Sequence, residues 1–118
     1  VDALRSCGIE VSLFIDPVED QIRASADMGV AAVELHTGQY GLAKGAKQER
    51  ELELLQKAGE AVVASGLRLH AGHGLNYQNV GPVASIPSMH ELNIGHAIVA
   101  RSIFVGFQQA VREMKELL

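Results

Sequence analysis

The sequence predicts an α/β fold in which parallel strands alternate with covering helices. Short apolar, β-prone segments are each followed by a helical segment four times along the 118 residues. Repeated βα units of this kind favour a parallel sheet with right-handed crossovers. The chain is 47% hydrophobic but only 4% aromatic, which suits a core of Val, Leu, Ile and Ala between strands and helices. Four units are half of an eight-unit barrel, and they also suit a small open doubly wound sheet.

The boundaries of these elements follow from apolar spacing and from capping residues. The first residues, 1–7, are typical of the end of a helix. Asp16 can cap the next helix and Pro17 fits its first turn. Residues 37–41 are predicted to form a turn-rich loop. Strands are predicted over residues 9–15, 30–36, 67–71 and 91–94. Further helices are predicted over 47–65, 80–85 and 97–118, the last with a break near Gly106.

Composition limits the partners and the compartment. A net charge of −4 argues against the basic surface that nucleic-acid binding requires. The chain contains no apolar run of membrane length and no N-terminal signal pattern, so we expect neither a nucleic acid nor a membrane as partner. Cys7 is the single cysteine, which excludes an intrachain disulfide and favours a cytoplasmic location. The start at Val1, inside an apparent helix end, suggests part of a longer protein.

Polar residues follow the predicted strands at their carboxyl ends, where both candidate folds carry their sites. A strand ends at Gly95, and a long helix begins immediately after it. The free N–H groups and positive dipole end of that helix favour a bound phosphate. The plainer interpretation is that a tight turn needs glycine at this position and that His96 merely enters the helix.

Two further residues at these strand ends suit proton chemistry. His73 lies between two glycines, so its ring is poorly covered, and histidine exchanges protons near neutral pH. Glu34 interrupts an apolar strand, where a carboxylate is costly unless it is paired or hydrated. The plainer interpretations are a surface-loop histidine and an ion pair inside a barrel. His36 and His70 are interpreted as satisfied polar residues near strand ends.

A metal site is disfavoured by the strand geometry. His70 and His73, together with Glu34 and His36, offer nitrogen and oxygen ligands. However, positions i and i+3 of an extended strand point to opposite sides, so no metal is expected here. The segment 72–74 also lacks the third glycine of a dinucleotide-binding fingerprint.

Three segments resemble the signature stretches of the pyridoxine 5′-phosphate synthase family in order and in spacing. They read ELHTG (34–38), AGHGLNY (71–77) and ELNIGHAI (91–98), and the tail VREMK (111–115) also matches. The resemblance covers essentially the whole chain but only the C-terminal half of that enzyme, which is a TIM (β/α)8 barrel. It therefore implies that residues 1–118 are the C-terminal half barrel of a single domain, with about four βα units, whose N-terminal half is missing.

The resemblance also implies a reaction and roles for residues. The family condenses 1-deoxy-D-xylulose 5-phosphate with 3-amino-2-oxopropyl phosphate to give pyridoxine 5′-phosphate, phosphate and water, with no metal or organic cofactor. By position, His73 matches the proton donor and Glu34 matches the carboxylate that stabilises charged intermediates in the transition state. Gly74 matches a contact to the amino ketone, and Gly95 and His96 match the phosphate-binding residues.

The family's remaining acid and base groups lie in the half that this chain lacks, so the isolated chain is expected to be inactive. A half barrel is expected to expose two sheet edges and an apolar interior face. It should therefore pair with the missing half or with itself, and full-length members form homo-oligomers. Two alternatives remain: a non-catalytic phosphate-binding or assembly module that keeps Gly95 and His96, and another phosphosugar enzyme on an open α/β sheet.

Overall fold

The computed structural model describes residues 1–118 and contains one sheet of four parallel strands. These are β1 (Ser12–Ile15), β2 (Ala32–His36), β3 (Arg68–Gly72) and β4 (Met89–Asn93). Each strand pairs with its neighbour in sequence, in the order β1-β2-β3-β4. A doubly wound sheet reverses its strand order at a switch point, whereas a barrel does not. The α/β prediction is confirmed, and the order is that of half a TIM barrel.

Seven helices connect or flank the strands. They are α1 (Asp2–Arg5), α2 (Glu19–Asp27), α3 (Gly38–Leu42), α4 (Ala46–Ala64), α5 (Val80–Ala84), α6 (His96–Val105) and α7 (Phe107–Lys115). The predicted break in the last helix is confirmed at Gly106, whose φ of +83° ends α6. None of these helices combines the length and the apolar character that crossing a membrane requires.

The start of α2 differs from the prediction. The helix begins at Glu19 after Val18, and no side chain caps it. Instead, the Oε1 of Gln21 accepts a hydrogen bond of 3.0 Å from the N–H of Asp16. The Oδ1 of the Asp16 carboxylate lies 3.5 Å from the Nδ1 of His36. Asp16 is therefore a neighbour of a strand-end histidine rather than a helix cap.

Two other elements also differ from the prediction. Residues 38–42 form helix α3 rather than a loop, because burial of Tyr40 and its hydrogen bond of 2.8 Å to the carbonyl of Asn79 outweigh the low helix propensity of the glycines. Strand β1 is shorter than predicted, because its ladder with β2 begins only at Ser12.

The core lies between the helices and one face of the sheet. Alternate residues of β2 and β3 pack there and are almost fully buried, as the two-residue period of a strand requires. They contact the inner faces of α2 and α4, and the whole forms one cluster of 14 buried residues. Its most completely buried members include Val33, Leu35, Leu69, Ile22 and Val62.

The opposite face of the sheet is mainly polar, so the predicted apolar interior face is wrong. The strand register aligns Phe14, Glu34, His70 and Glu91 in one row across all four strands. Phe14 is the only large apolar side chain in that row. Exposed apolar side chains are found on several helices, and the most exposed are Leu42 on α3 and Ile103 and Phe104 on α6.

Candidate functional site

The carboxyl ends of the strands open into one cavity of about 590 Å³. Its wall contains all five residues that the sequence analysis proposed for the site. These are Glu34, His73, Gly74, Gly95 and His96. The remaining lining residues are Phe14, Leu75, Asn76, Asn93, Ile94 and Ala97. The structure therefore brings the proposed residues together, while their chemical roles stay predictions.

Glu34 reaches into this cavity from the middle of β2. Its Oε2 accepts a hydrogen bond of 3.0 Å from the Nδ2 of Asn93 on β4. Burial raises the pKa of Glu34 above its usual value, and the nearby Glu91 carboxylate adds to the rise. The hydrogen bond from Asn93 and the charge of His70 oppose that rise in pKa. The net result is a carboxyl group that holds its proton to a higher pH than an exposed glutamate.

His73 enters the cavity from the loop that follows β3. Its φ is +79°, in the left-handed region that residues other than glycine rarely adopt. The ring is exposed and its centroid lies 4.8 Å from that of His36 and 6.4 Å from that of Phe14. A non-glycine residue in this conformation, at the edge of a cavity, is typical of a functional position.

The two histidines of the His-x-x-His segment have different surroundings. The ring of His70 stacks on His90 at 5.5 Å and its Nδ1 lies 3.8 Å from Glu91, whereas His73 lies beside His36. The Nε2 of His70 is buried without a hydrogen-bond partner, so the interpretation of His70 as a fully satisfied polar residue is wrong. No group of three or more His, Cys, Asp and Glu side chains is arranged to hold a metal ion.

Helix α6 begins directly at the cavity. Gly95 is its N-cap residue, and no side chain accepts hydrogen bonds from the first-turn N–H groups. Gly95, His96 and Ala97 all line the cavity. The positive end of the helix dipole and free N–H groups are therefore available to an anion in the cavity.

Sequence reasoning missed three residues that shape the site. Asn93 holds the Glu34 carboxylate, Gly72 leaves room for that carboxylate, and Thr37 bonds to the His73 loop. The two-residue period of β4 could have placed Asn93 on the same face as Glu91, but its contact with Glu34 depends on the register across β3.

Comparison with known proteins gives a consistent family match. The sequence model described as "Pyridoxal phosphate biosynthesis protein PdxJ" matches residues 1–118. Curated relatives called pyridoxine 5′-phosphate synthase are similar over the whole chain. That of Rhodopirellula baltica is 55% identical over 118 residues, which are 48% of its length. That of Synechococcus sp. (strain CC9902) is 56% identical, over 47% of its length, and that of Sulfurihydrogenibium sp. (strain YO3AOP1) is 48% identical, over 49%. The chain thus spans about half the length of the curated relatives it matches.

Proposed function

The chain belongs to the PdxJ family of pyridoxal phosphate biosynthesis proteins, and from that premise we propose that it supplies half of a pyridoxine 5′-phosphate synthase active site. The proposed reaction joins 1-deoxy-D-xylulose 5-phosphate to 3-amino-2-oxopropyl phosphate, with release of phosphate and water. The observation that carries the proposal is that His73, Glu34 and the uncapped start of α6 share one cavity of about 590 Å³.

His73 is the proposed proton donor. Closing a pyridine ring from a ketose phosphate and an amino ketone expels hydroxyl groups as water, and each departing oxygen must receive a proton. An imidazole suits that task because it changes protonation state near neutral pH. The exposed ring of His73 faces the cavity from a conformationally restricted loop, which keeps the donor in a defined direction.

Glu34 is the proposed electrostatic stabiliser. Condensation of an amine with a ketone passes through cationic nitrogen intermediates, and a fixed carboxylate lowers their energy most effectively where water is partly excluded. The hydrogen bond from Asn93 fixes the carboxylate in the cavity. It also holds down the pKa of Glu34 against the rise caused by burial, which favours the charged form that this role needs.

The start of α6 is the proposed phosphate site. Each substrate carries a phosphate, and helix N-termini bind phosphate through free N–H groups and the helix dipole. Gly95 presents no side chain, so an anion can approach the backbone, and His96 can add a further donor. Gly74 lies on the wall of the same cavity, where it is proposed to contact the amino ketone.

Turnover of the two phosphorylated substrates tests the reaction. We expect product from a full-length protein that contains these 118 residues and none from the 118-residue chain alone. In the full-length protein, His73→Ala should lower kcat by at least about 100-fold, the lower range for loss of a general acid. The matched control is His90→Ala, because His90 is exposed and lies outside the cavity. Failure of the full-length protein to form product would overturn the proposal, and normal activity of His73→Ala would overturn the assigned donor.

Hydrogen exchange with added inorganic phosphate tests the anion site separately. We expect slower exchange at the amides of residues 96–98. The amides at the start of α7 serve as the control, because that helix is also without a side-chain cap but begins outside the cavity. Equal exchange with and without phosphate would count against the site. Protection by phosphate without turnover in the full-length protein would instead favour the non-catalytic phosphate-binding module.

We also propose that this half barrel associates with a complementary half barrel or with a second copy of itself, in the cytoplasm. Strands β1 and β4 each lack a second neighbour, which leaves two edges able to pair. The adjacent apolar residues Ile103 and Phe104 are 79% and 83% exposed, and exposed apolar patches mark protein-interaction sites. If the chain pairs with itself, sedimentation should show dimers or larger species that lose mass on dilution, whereas a monomer at every concentration would contradict self-association.

A further inference from the structure

Thr37 connects β2 to the loop that carries His73, 36 residues away in sequence. Its side chain is completely buried. Its Oγ1 lies 2.7 Å from the carbonyl oxygen of Gly72 and 2.6 Å from that of His73. The N–H of Thr37 also donates to the carbonyl of Gly72, at 2.8 Å.

The hydroxyl matters most for the carbonyl of His73. The Gly72 carbonyl already receives the N–H of Thr37, whereas the Thr37 hydroxyl is the only hydrogen-bond donor to the carbonyl of His73. A hydroxyl has one proton to donate. The proton therefore stabilises the loop most at the carbonyl of His73, which has no other donor. His73 is also the residue whose φ is +79°.

The far side of the loop is also held. The Nδ2 of Asn79 donates to the carbonyl of Gly74 at 3.1 Å. Helix α3 packs so closely that a Cβ at residue 41 would lie 2.7 Å from the same oxygen. Three successive carbonyls, at residues 72–74, are thus fixed by groups from other parts of the chain. A left-handed non-glycine residue persists only where its surroundings impose that conformation.

We propose that Thr37 is a positioning residue, whose hydroxyl holds His73 in the left-handed conformation that directs the imidazole into the cavity. Thr37 is absent from the cavity wall and so touches no substrate. The catalytic part of this inference rests on the proposed function, in which His73 is the proton donor. The conformational part rests on the hydrogen bonds alone and can be tested without turnover.

The test uses Thr37→Val and Thr37→Ser in the full-length protein. Valine keeps the shape of threonine without the hydroxyl, and serine keeps the hydroxyl. We expect Thr37→Val to lower kcat by about 100-fold, as a displaced catalytic group does, with each KM changed by less than about 2-fold. Thr37→Ser should keep kcat within a few-fold of the wild type. Ser25→Ala is the matched control, because Ser25 is buried and donates to a carbonyl within α2, 2.7 Å away.

A crystal structure of Thr37→Val separates this inference from the proposed function. We expect φ of residue 73 to leave the left-handed region, even if the wild type shows no turnover. An unchanged loop conformation, or a raised KM with an unchanged kcat, would overturn the proposal.

If Thr37→Val alone does not fold, the same substitution is made together with His73→Gly. Glycine adopts positive φ without help, so the double variant should fold. A double variant that also failed to fold would show a general structural role for Thr37 and overturn the proposal.

Discussion

The carboxylate of Glu34 lies against the Cα of Gly72 on the neighbouring strand, so closely that a Cβ at residue 72 would overlap its Oε1. Gly72 pairs with Asn93 in the sheet, and Glu34 bonds to the side chain of Asn93 at 3.0 Å. The hydrogen bond therefore passes from β2 to β4 across the surface of β3. Only a residue without a side chain leaves that path open.

Gly72→Ala should break this hydrogen bond. The new methyl group would overlap the Glu34 carboxylate and would lie 3.0 Å from the carbonyl oxygen of Asn93, which is backbone and cannot rotate away. We expect a loss of about 1–3 kcal/mol in the free energy of unfolding, the usual cost of overpacking. Denaturant unfolding measures this loss, and turnover by the full-length protein should fall with it.

Gly81→Ala is the matched control for this substitution. Gly81 lies in α5 and a Cβ there would meet no atom within 4 Å. Its φ is not positive, so alanine should leave stability unchanged or raise it by about 0.4–1 kcal/mol. Equal losses for the two variants would show that the effect comes from replacing glycine in general, and not from the contact with Glu34.

Much of this arrangement could be predicted from the sequence. The Gly-His pairs after two apolar segments indicated adjacent strand ends, because parallel strands finish at the same edge of a sheet. That reasoning alone placed His73 and Gly95 on one rim. The isolated carboxylate of Glu34 in an apolar strand indicated either a polar cavity or an ion pair, because burying an unpaired charge is costly.

The remaining features depend on contacts between residues far apart in sequence. The bond between Glu34 and Asn93 spans 59 positions, and that between Thr37 and His73 spans 36. Their existence follows from strand register, which no local pattern determines. Helix α3 was missed for a related reason, since the burial of Tyr40 and not its own sequence stabilises it.

Glu34→Gln should stabilise the protein at neutral pH. The native pKa of Glu34 is raised, mainly by burial, so the unfolded chain ionises at lower pH than the native protein. Stability is then lost as pH rises from the ordinary glutamate pKa of about 4.3 through the raised native value. The glutamine side chain of the variant cannot ionise and avoids this loss.

Thermal unfolding of both proteins across pH measures the effect. We expect Glu34→Gln to have the higher Tm at pH 7, with the difference disappearing below about pH 4, where Glu34 is neutral in both states. A Tm difference that does not depend on pH would contradict the raised pKa. Turnover by the full-length variant should nevertheless fall, because the amide carries no charge to stabilise a cation.

Asn93→Ala should raise the pKa of Glu34 further. The hydrogen bond from Asn93 is the largest influence that lowers that pKa, and alanine cannot donate one. The carboxyl carbon resonance of Glu34, followed by NMR during a pH titration, reports the change directly. A midpoint that stays in place or moves to lower pH would show that Asn93 does not favour the charged carboxylate.

His73→Gly should raise stability while removing activity. The left-handed conformation of His73, with φ of +79°, costs an L-residue about 1–2 kcal/mol. Glycine avoids that cost, but its greater freedom in the unfolded chain lowers the free energy of unfolding by about 0.4–1 kcal/mol. We therefore expect a net gain of about 1 kcal/mol in the free energy of unfolding.

Ser88→Gly is the matched control, because Ser88 is the other non-glycine residue with positive φ, at +63°, and lies outside the cavity. The Ser88→Gly variant should gain similar stability and keep full turnover. If His73→Gly alone lost stability, the imidazole itself would be shown to stabilise the fold.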